Sequence, residues 1–224
     1  MKLNRLFIAI SFLLSPVILE AQEISIGNDD SQPIDERILY SHESTFHGTL
    51  HSRGFGLGYR TGRIRNILKT SNWDFEVSYF RSQKQVKLIN IYNSSTYIYG
   101  KLNDMLALRG GYEVEHRIYG KPYWGGVEVR WLYEGGASLA LLKPYYAGLP
   151  FRYGLKEIKF RPGAYVKGGM SLEIGSSRTR ARAIEVGVAA DYFPQGIELM
   201  DLNPTEYVFV TLYLSYHWGA RYNK

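Results

Sequence analysis

From residue 206 to residue 218 the chain alternates without a break. Val208, Val210, Leu212, Leu214, Tyr216 and Trp218 hold one parity, and Tyr207, Phe209, Thr211, Tyr213, Ser215 and His217 hold the other. Side chains alternate across a strand, so this segment predicts a β-strand with one wholly apolar face ending in aromatics and one mixed, hydroxyl-rich face. The pattern returns along the chain. Trp73, Phe75, Val77 and Tyr79 alternate with Asp74, Glu76 and Ser78. Leu106, Leu108, Tyr112 and Val114 alternate with Ala107, Arg109, Glu113 and Glu115. Val127, Val129, Trp131 and Tyr133 alternate with Glu128, Arg130 and Glu134, and this strand can run on through Leu139 and Leu141. Ala164, Val166, Met170, Leu172 and Ile174 alternate with Tyr165, Lys167, Ser171 and Glu173. Ile184, Val186, Val188 and Tyr192 alternate with Ala183, Glu185, Gly187 and Asp191.

Residues 46–60 form a seventh, glycine-studded strand. Gly48, Gly54, Gly56 and Gly58 share one parity, and Phe55, Leu57 and Tyr59 take the other. Gly54-Phe55-Gly56-Leu57-Gly58 is not a nucleotide loop, because no helical pattern follows it. Glycines on one strand face mark curvature or room for a neighbour's large side chain.

Wherever these strands carry charge, it sits opposite the apolar stripe. The set is Asp74, Glu76, Arg109, Glu113, Glu115, Glu128, Arg130, Glu134, Lys167, Glu173, Glu185 and Asp191. A soluble sandwich or lipocalin-like barrel would bury the apolar parity instead. Long apolar stripes facing out, with charges facing in, predict an all-β, antiparallel up-and-down transmembrane barrel. Such barrels use even strand numbers, so an eighth strand is expected from residues 36–42 or 86–99. Both termini then share one side. Residues 175–179 form a tight turn there, and residues 145–162 and 194–205 form longer outer loops. Eight strands enclose a lumen that side chains can fill. Acids and bases in so narrow a space should pair, since a lone buried charge is costly. The lumen is therefore expected to be plugged by a charge network, with the surplus carboxylates served by loop arginines or water.

The N-terminus fits this address. Lys2 and Arg5 precede an apolar run from Leu6 to Leu14, then Pro16 and Leu19-Glu20-Ala21. That reads as an export signal cleaved near residue 21. The expected organisation is residues 1–21 as signal peptide, 22–44 as a polar periplasmic lead and 45–224 as the barrel. Without residues 1–21, 25 basic residues face 20 acidic ones, a net charge of +5. In an exported chain that excess points to an anionic membrane surface such as lipopolysaccharide phosphates, not to nucleic acid. The 19 tyrosines and 4 tryptophans suit a membrane–water boundary. With no cysteine, disulfide and thiol chemistry are excluded.

Candidate chemistry is thin. Glu113 and Glu115 share a strand face and have the form of paired acid–base carboxylates, though a lumen charge pair explains them as well. His42, His47, His51, His116 and His217 are the imidazoles available to a metal. His47 and His51 lie about 13 Å apart along a strand, too far for one ion. Ser41–His42 and His51–Ser52 are the adjacent nucleophile–base candidates, but neighbours in a strand point to opposite faces. Lys156, Lys159, Arg178, Arg180 and Arg182 are candidate contacts for lipid headgroup phosphates. No cofactor is implied.

Several blocks resemble a Bacteroidota family of small exported outer-membrane β-barrel proteins. They are Leu50-His51-Ser52-Arg53-Gly54-Phe55-Gly56-Leu57-Gly58-Tyr59-Arg60, Tyr99-Gly100-Lys101-Leu102-Asn103 with Leu108-Arg109-Gly110-Gly111-Tyr112, and Gly125-Gly126-Val127-Glu128-Val129-Arg130 with Leu141-Leu142-Lys143-Pro144. The resemblance spans most of the chain after residue 21. It implies an outer-membrane location and carries no catalytic residue. The chain ends Tyr222-Asn223-Lys224, where such barrels often end on an aromatic residue. The expectation is a structural or accessory component of an envelope assembly, for secretion or surface attachment, touching outer-membrane lipid and another envelope protein. The alternatives are a lipid A-modifying enzyme and a ligand-binding or porin-like barrel.

Overall fold

The computed structural model describes residues 40–224, except 67, 86, 90–95, 121–125, 147–154, 175–178, 202 and 224. The expected signal peptide and most of the lead lie outside the described residues. Ten strands follow in order: β1 (His42–His51), β2 (Gly54–Asn66), β3 (Lys69–Phe80), the short β4 (Lys87–Ile89) and β5 (Thr96–Ile98), β6 (Asn103–Tyr119), β7 (Glu128–Pro144), β8 (Lys159–Glu173), β9 (Arg180–Ile197) and β10 (Glu206–Tyr222). Eight of them close into one barrel in the order β1-β10-β9-β8-β7-β6-β3-β2. Every ladder between them is antiparallel, and β1 pairs with both β2 and β10. The fold is an eight-stranded, antiparallel, up-and-down β-barrel. Closure removes the unpaired edges that an open sheet would expose.

The eighth strand comes from neither expected place. Residues 46–60 are not one strand but the β1–β2 hairpin, turning at Ser52 and Arg53, with His51 opposite Gly54. Residues 86–99 instead contribute the two short strands β4 and β5, which pair with each other outside the barrel. Gly54 marks the turn for a steric reason: a Cβ there would lie 2.0 Å from the Tyr79 carbonyl oxygen. Backbone bonds tie the turn into both neighbours, Ser52 N–H to Leu212 O at 2.9 Å and Arg81 N–H to Arg53 O at 2.7 Å.

The barrel begins at His42, three residues before the expected boundary of 45. At the end where β1 starts and β10 finishes, the barrel's own termini, the connections are 67–68, 120–127 and 174–179. At the opposite end they are 52–53, 81–102, 145–158 and 198–205. The expected outer loops are shorter than the pattern predicts, because β8 starts at Lys159 and β9 runs to Ile197.

The two parities face as their chemistry requires. On every barrel strand the apolar set points out: Leu212 is 67% exposed, Leu57 64%, Val166 62% and Trp73 56%. The inward set is buried, and it is layered. Near the long loops it is apolar, with Phe80, Met105, Leu142, Phe193, Ile197 and Phe209 packed together under Leu199 and Met200. Phe209 meets Phe80 and Phe193 edge-on at 6.0 and 5.9 Å, the favoured aromatic geometry. The loops lace over this layer: Leu102 N–H donates to Leu199 O at 3.0 Å, Asp201 N–H to Gly100 O at 2.8 Å and Tyr145 N–H to Leu102 O at 2.8 Å. Below it, toward the termini, the lumen is charged.

Candidate functional site in the barrel lumen

Strand alternation places every carboxylate of the charged layer on the same inner wall, and the strands' arginines reach across it. Arg60, from the middle of β2, is the hub. Its Nη1 lies 2.5 Å from Glu185 Oε1 on β9 and 3.4 Å from Glu115 Oε1 on β6. Its Nη2 lies 2.7 Å from Glu113 Oε2 on β6 and 3.4 Å from Asp74 Oδ2 on β3. One planar guanidinium with five donors can serve four carboxylates at once, where a lysine ammonium has only three donors.

Arg109 forms a two-pronged pair with Asp191, Nε to Oδ1 at 2.9 Å and Nη2 to Oδ2 at 2.6 Å, and donates Nη1 to Glu76 at 2.8 Å. Arg130 donates to Glu115 and Glu128, each at 2.7 Å, and to Glu173 at 3.0 Å. Arg221 joins Glu43 at 2.7 Å to Glu173 at 2.5 Å. Lys167 Nζ stands 3.3 Å from Glu134 and 3.7 Å from Asp74. Carboxylates outnumber these cations, and neutral donors serve the surplus. Asn72 Nδ2 bridges Glu113 and Glu115 at 2.9 Å each, the Ser78 hydroxyl donates to Glu76, and the Tyr165 hydroxyl donates to Glu134.

All twelve residues named from the sequence as a lumen network therefore lie on the inner wall. Sequence reasoning misses Arg60, Arg221 and Glu43. A single strand over residues 46–60 would leave Arg60 at its end, whereas the hairpin puts it near the centre of β2.

The headgroup candidates do not form one cluster. Lys156 and Lys159 are exposed at the long-loop end, while Arg180 and Arg182 are exposed on β9 at the end holding the termini. Arg178 lies outside the described residues.

The histidines scatter in the same way. His47 and His217 face each other in the lumen, His42 stacks on Tyr222 and His116 on Tyr133, and His51 meets Phe80 at a tilt. Asp74, Glu113 and Glu134 do bring carboxylate oxygens within 4.8 Å of one another, the spacing a metal ion could use. Protein cations already fill that role: Arg60 lies between Asp74 and Glu113, and Lys167 between Asp74 and Glu134. The residues present do not call for an ion.

Ser41 and His42 correct the sequence argument. Ser41 Oγ lies 2.8 Å from His42 Nδ1. Ser41 precedes the strand, so alternation does not separate the pair. The contact sits on the rim, where His42 leans on Tyr222. His51 and Ser52 do not pair, since His51 Nδ1 accepts from Arg53 N–H at 3.3 Å. Glu113 and Glu115 are both engaged, by Asn72, Arg60 and Arg130, and of the two only Glu115 also lines a recess. A polar recess of about 300 Å³, solvent opening included, lies at the termini end between Glu43, Arg130, Glu173 and Arg182.

No family model matches the chain, and no curated protein does. The expected assignment to a Bacteroidota family is thus not supported by these comparisons. Solved structures similar to the chain include Neisserial surface protein A (TM-score 0.43, 12% identity, covering 82% of this chain and 97% of that one). The N-terminal β-barrel domain of Pseudomonas aeruginosa OprF is another (TM-score 0.38, 9% identity, 80% and 97%). A third is Ail, the attachment invasion locus protein of Yersinia pestis, in complex with the heparin analogue sucrose octasulfate (TM-score 0.38, 10% identity, 81% and 97%).

Proposed function

We propose that the chain is an integral outer-membrane barrel with a closed lumen, serving as a structural or accessory component of an envelope assembly. The observation that carries this reading is the inversion of polarity across the wall. All eight strands expose apolar side chains outward, while charged groups are buried inside. In water such a belt would far exceed the apolar patches of soluble monomers. The outward stripe of β10 runs from residue 208 to residue 218, the ~9–11 residues a tilted strand needs to cross a bilayer.

The accessory role rests on the filled lumen. Phe80, Phe193 and Phe209 fill one level of the lumen and the Arg60 network another, which argues against a continuous water path for a transported solute among the described residues. Three measurements test the reading. The folded barrel should migrate differently from the boiled chain on a denaturing gel and stay silent in a planar bilayer. Stable single-channel conductance would replace the closed-lumen reading with a pore. Gentle detergent extraction and affinity capture should then recover a stoichiometric envelope partner, and recovery of the barrel alone would remove the accessory role.

A further inference from the structure

The outer wall is as one-sided in charge as the inner wall is rich in carboxylates. At the bulged start of β10, Glu206 is held by Arg53 at 2.5 Å. Elsewhere among the described residues, Asp104 is the sole acidic side chain at an outward position of a barrel strand. It lies at the long-loop end, where it pairs with Lys101 at 2.5 Å and accepts from the Tyr79 hydroxyl at 2.9 Å. At the other end the outward positions carry Arg63 and Arg65 on β2, Lys69 on β3, and Arg180 and Arg182 on β9. The four arginines are exposed. None of these five cations has a carboxylate partner among the described residues; Arg65 donates only to the Tyr112 hydroxyl, at 3.2 Å.

Register brings them to the same end of the wall. Arg63 faces His42 on β1, which faces Tyr222 on β10, and Arg180 faces Ala220 on the same strand. Lys69 faces His116. The cations thus form a girdle from β9 round to β3. An aromatic ring borders it on the belt side. Arg182 is the register partner of Trp218, Trp73 lies four residues beyond Lys69, and Tyr59 four residues before Arg63. Four residues of strand rise about 13 Å, and tilt reduces that, so Arg63 and Lys69 sit where phosphates lie outside an aromatic boundary, and Arg182 stands beside Trp218 at the boundary itself.

We propose that this girdle binds anionic phospholipid headgroups in the leaflet on the side of the termini. The inference rests on the membrane-spanning reading above and adds a lipid preference to it. Unpaired arginines recognise phosphate oxygens through two parallel N–H donors, and the carboxylates that would repel a phosphate have been drawn to the inner wall. The long-loop end, where Lys156 and Lys159 stand beside Glu157, lacks this uniformity of sign.

The test is bromine quenching of tryptophan fluorescence. The purified full-length barrel is reconstituted in vesicles of phosphatidylcholine and phosphatidylglycerol, with dibrominated acyl chains on one lipid or the other. Trp73, Trp131 and Trp218 all face outward in the termini-side half and report on that leaflet. Preferential quenching by the brominated anionic lipid is expected, on the order of 5-fold over the zwitterionic one per headgroup site. The preference should fall toward unity in R63Q/R65Q/R180Q/R182Q and in high salt, and stand unchanged in K156Q/K159Q. Heat-dependent gel migration checks that each variant is folded, and the pairs R63Q/R65Q and R180Q/R182Q replace the quadruple variant if it is not.

Equal quenching by both lipids, or a preference that survives loss of the arginines, overturns the proposal and leaves the barrel reading intact. Arginine-dependent binding of lipopolysaccharide with no phosphatidylglycerol preference overturns the assignment of the lipid. No quenching by either lipid would overturn the membrane-spanning reading, and this one with it.

Discussion

His47 on β1 and His217 on β10 are register partners, and their rings stack 4.7 Å apart inside the barrel. They mark the seam where the first barrel strand meets the last. One step along, Thr49 and Ser215 share a hydrogen bond of 2.8 Å on the same inner face. The chain has no cysteine, so a disulfide placed there would be unique. T49C/S215C should therefore cross-link under mild oxidation and resist heat unfolding on a gel until reduced. T49C/L214C, whose second thiol points outward, should not cross-link. Failure of the first pair would open the ring.

How much of this was written in the chain can be argued from the same seam. Alternation locates six of the barrel strands and sorts their charges to the inner side. It misses the first hairpin because Ser52-Arg53 carries no turn signature such as Asn-Gly. A two-residue turn also maps odd inward positions on β1 to even inward positions on β2. Gly48 and Gly54 therefore look like one stripe in sequence, although Gly48 faces out and Gly54 in. Arg60 is lost with that turn. The Ser41–His42 contact escapes because it needs a residue just outside the strand. The separation of Lys156 and Lys159 from Arg180 and Arg182 is a matter of which end each hairpin points to, and composition cannot express that.

Removing the hub should be far more damaging than removing a surface charge. R60M leaves Glu113 and Glu185 buried against each other with no guanidinium between them. A broken buried pair costs about 3–5 kcal/mol, against about 0–1 for an exposed one. Urea unfolding of the refolded barrel should show that loss for R60M and almost none for K156Q. Similar midpoints would mean that Arg60 is dispensable.

The outer belt predicts a gradient along a single strand. L212K puts a charge at a position 67% exposed in the middle of the apolar stripe and should cost ~2–4 kcal/mol in lipid vesicles. A220K, beside Arg180 near the rim, should cost ~0–1 kcal/mol. Equal and negligible costs at both sites would mean that the stripe faces water.

Close backbone approach makes one glycine hard to replace. A Cβ at Gly136 would lie 2.2 Å from the Gly110 carbonyl oxygen and 2.4 Å from Gly111 Cα, both backbone atoms that cannot swing away. G136A should destabilise the barrel by about 1–3 kcal/mol or more. Gly135 has open space, its nearest atom being 3.9 Å away, so G135A should fold like the parent.

Outside the belt, the Tyr146 hydroxyl donates to Glu157 Oε2 at 2.7 Å, and this bond raises the phenol's pKa above its usual value. The proton is held more tightly in the folded state. Whatever stabilisation follows is present below the ordinary phenol pKa and lost as pH rises through the raised one. Ultraviolet titration of the folded barrel should show one tyrosine fewer ionising late in Y146F, and an earlier ionisation in E157Q. Curves that superimpose would mean the bond does not persist.

Arg60 also has a mechanical meaning. Its four carboxylates come from β3, β6 and β9, so one side chain spans the ring like the hub of a spoked wheel. A barrel held only by its ladders can flatten or part sideways between two strands. One braced across its diameter resists ovalisation, and parting the β1–β10 seam would strain the spoke from β2 to β9. The wall is therefore a poor gate for sideways passage of lipid.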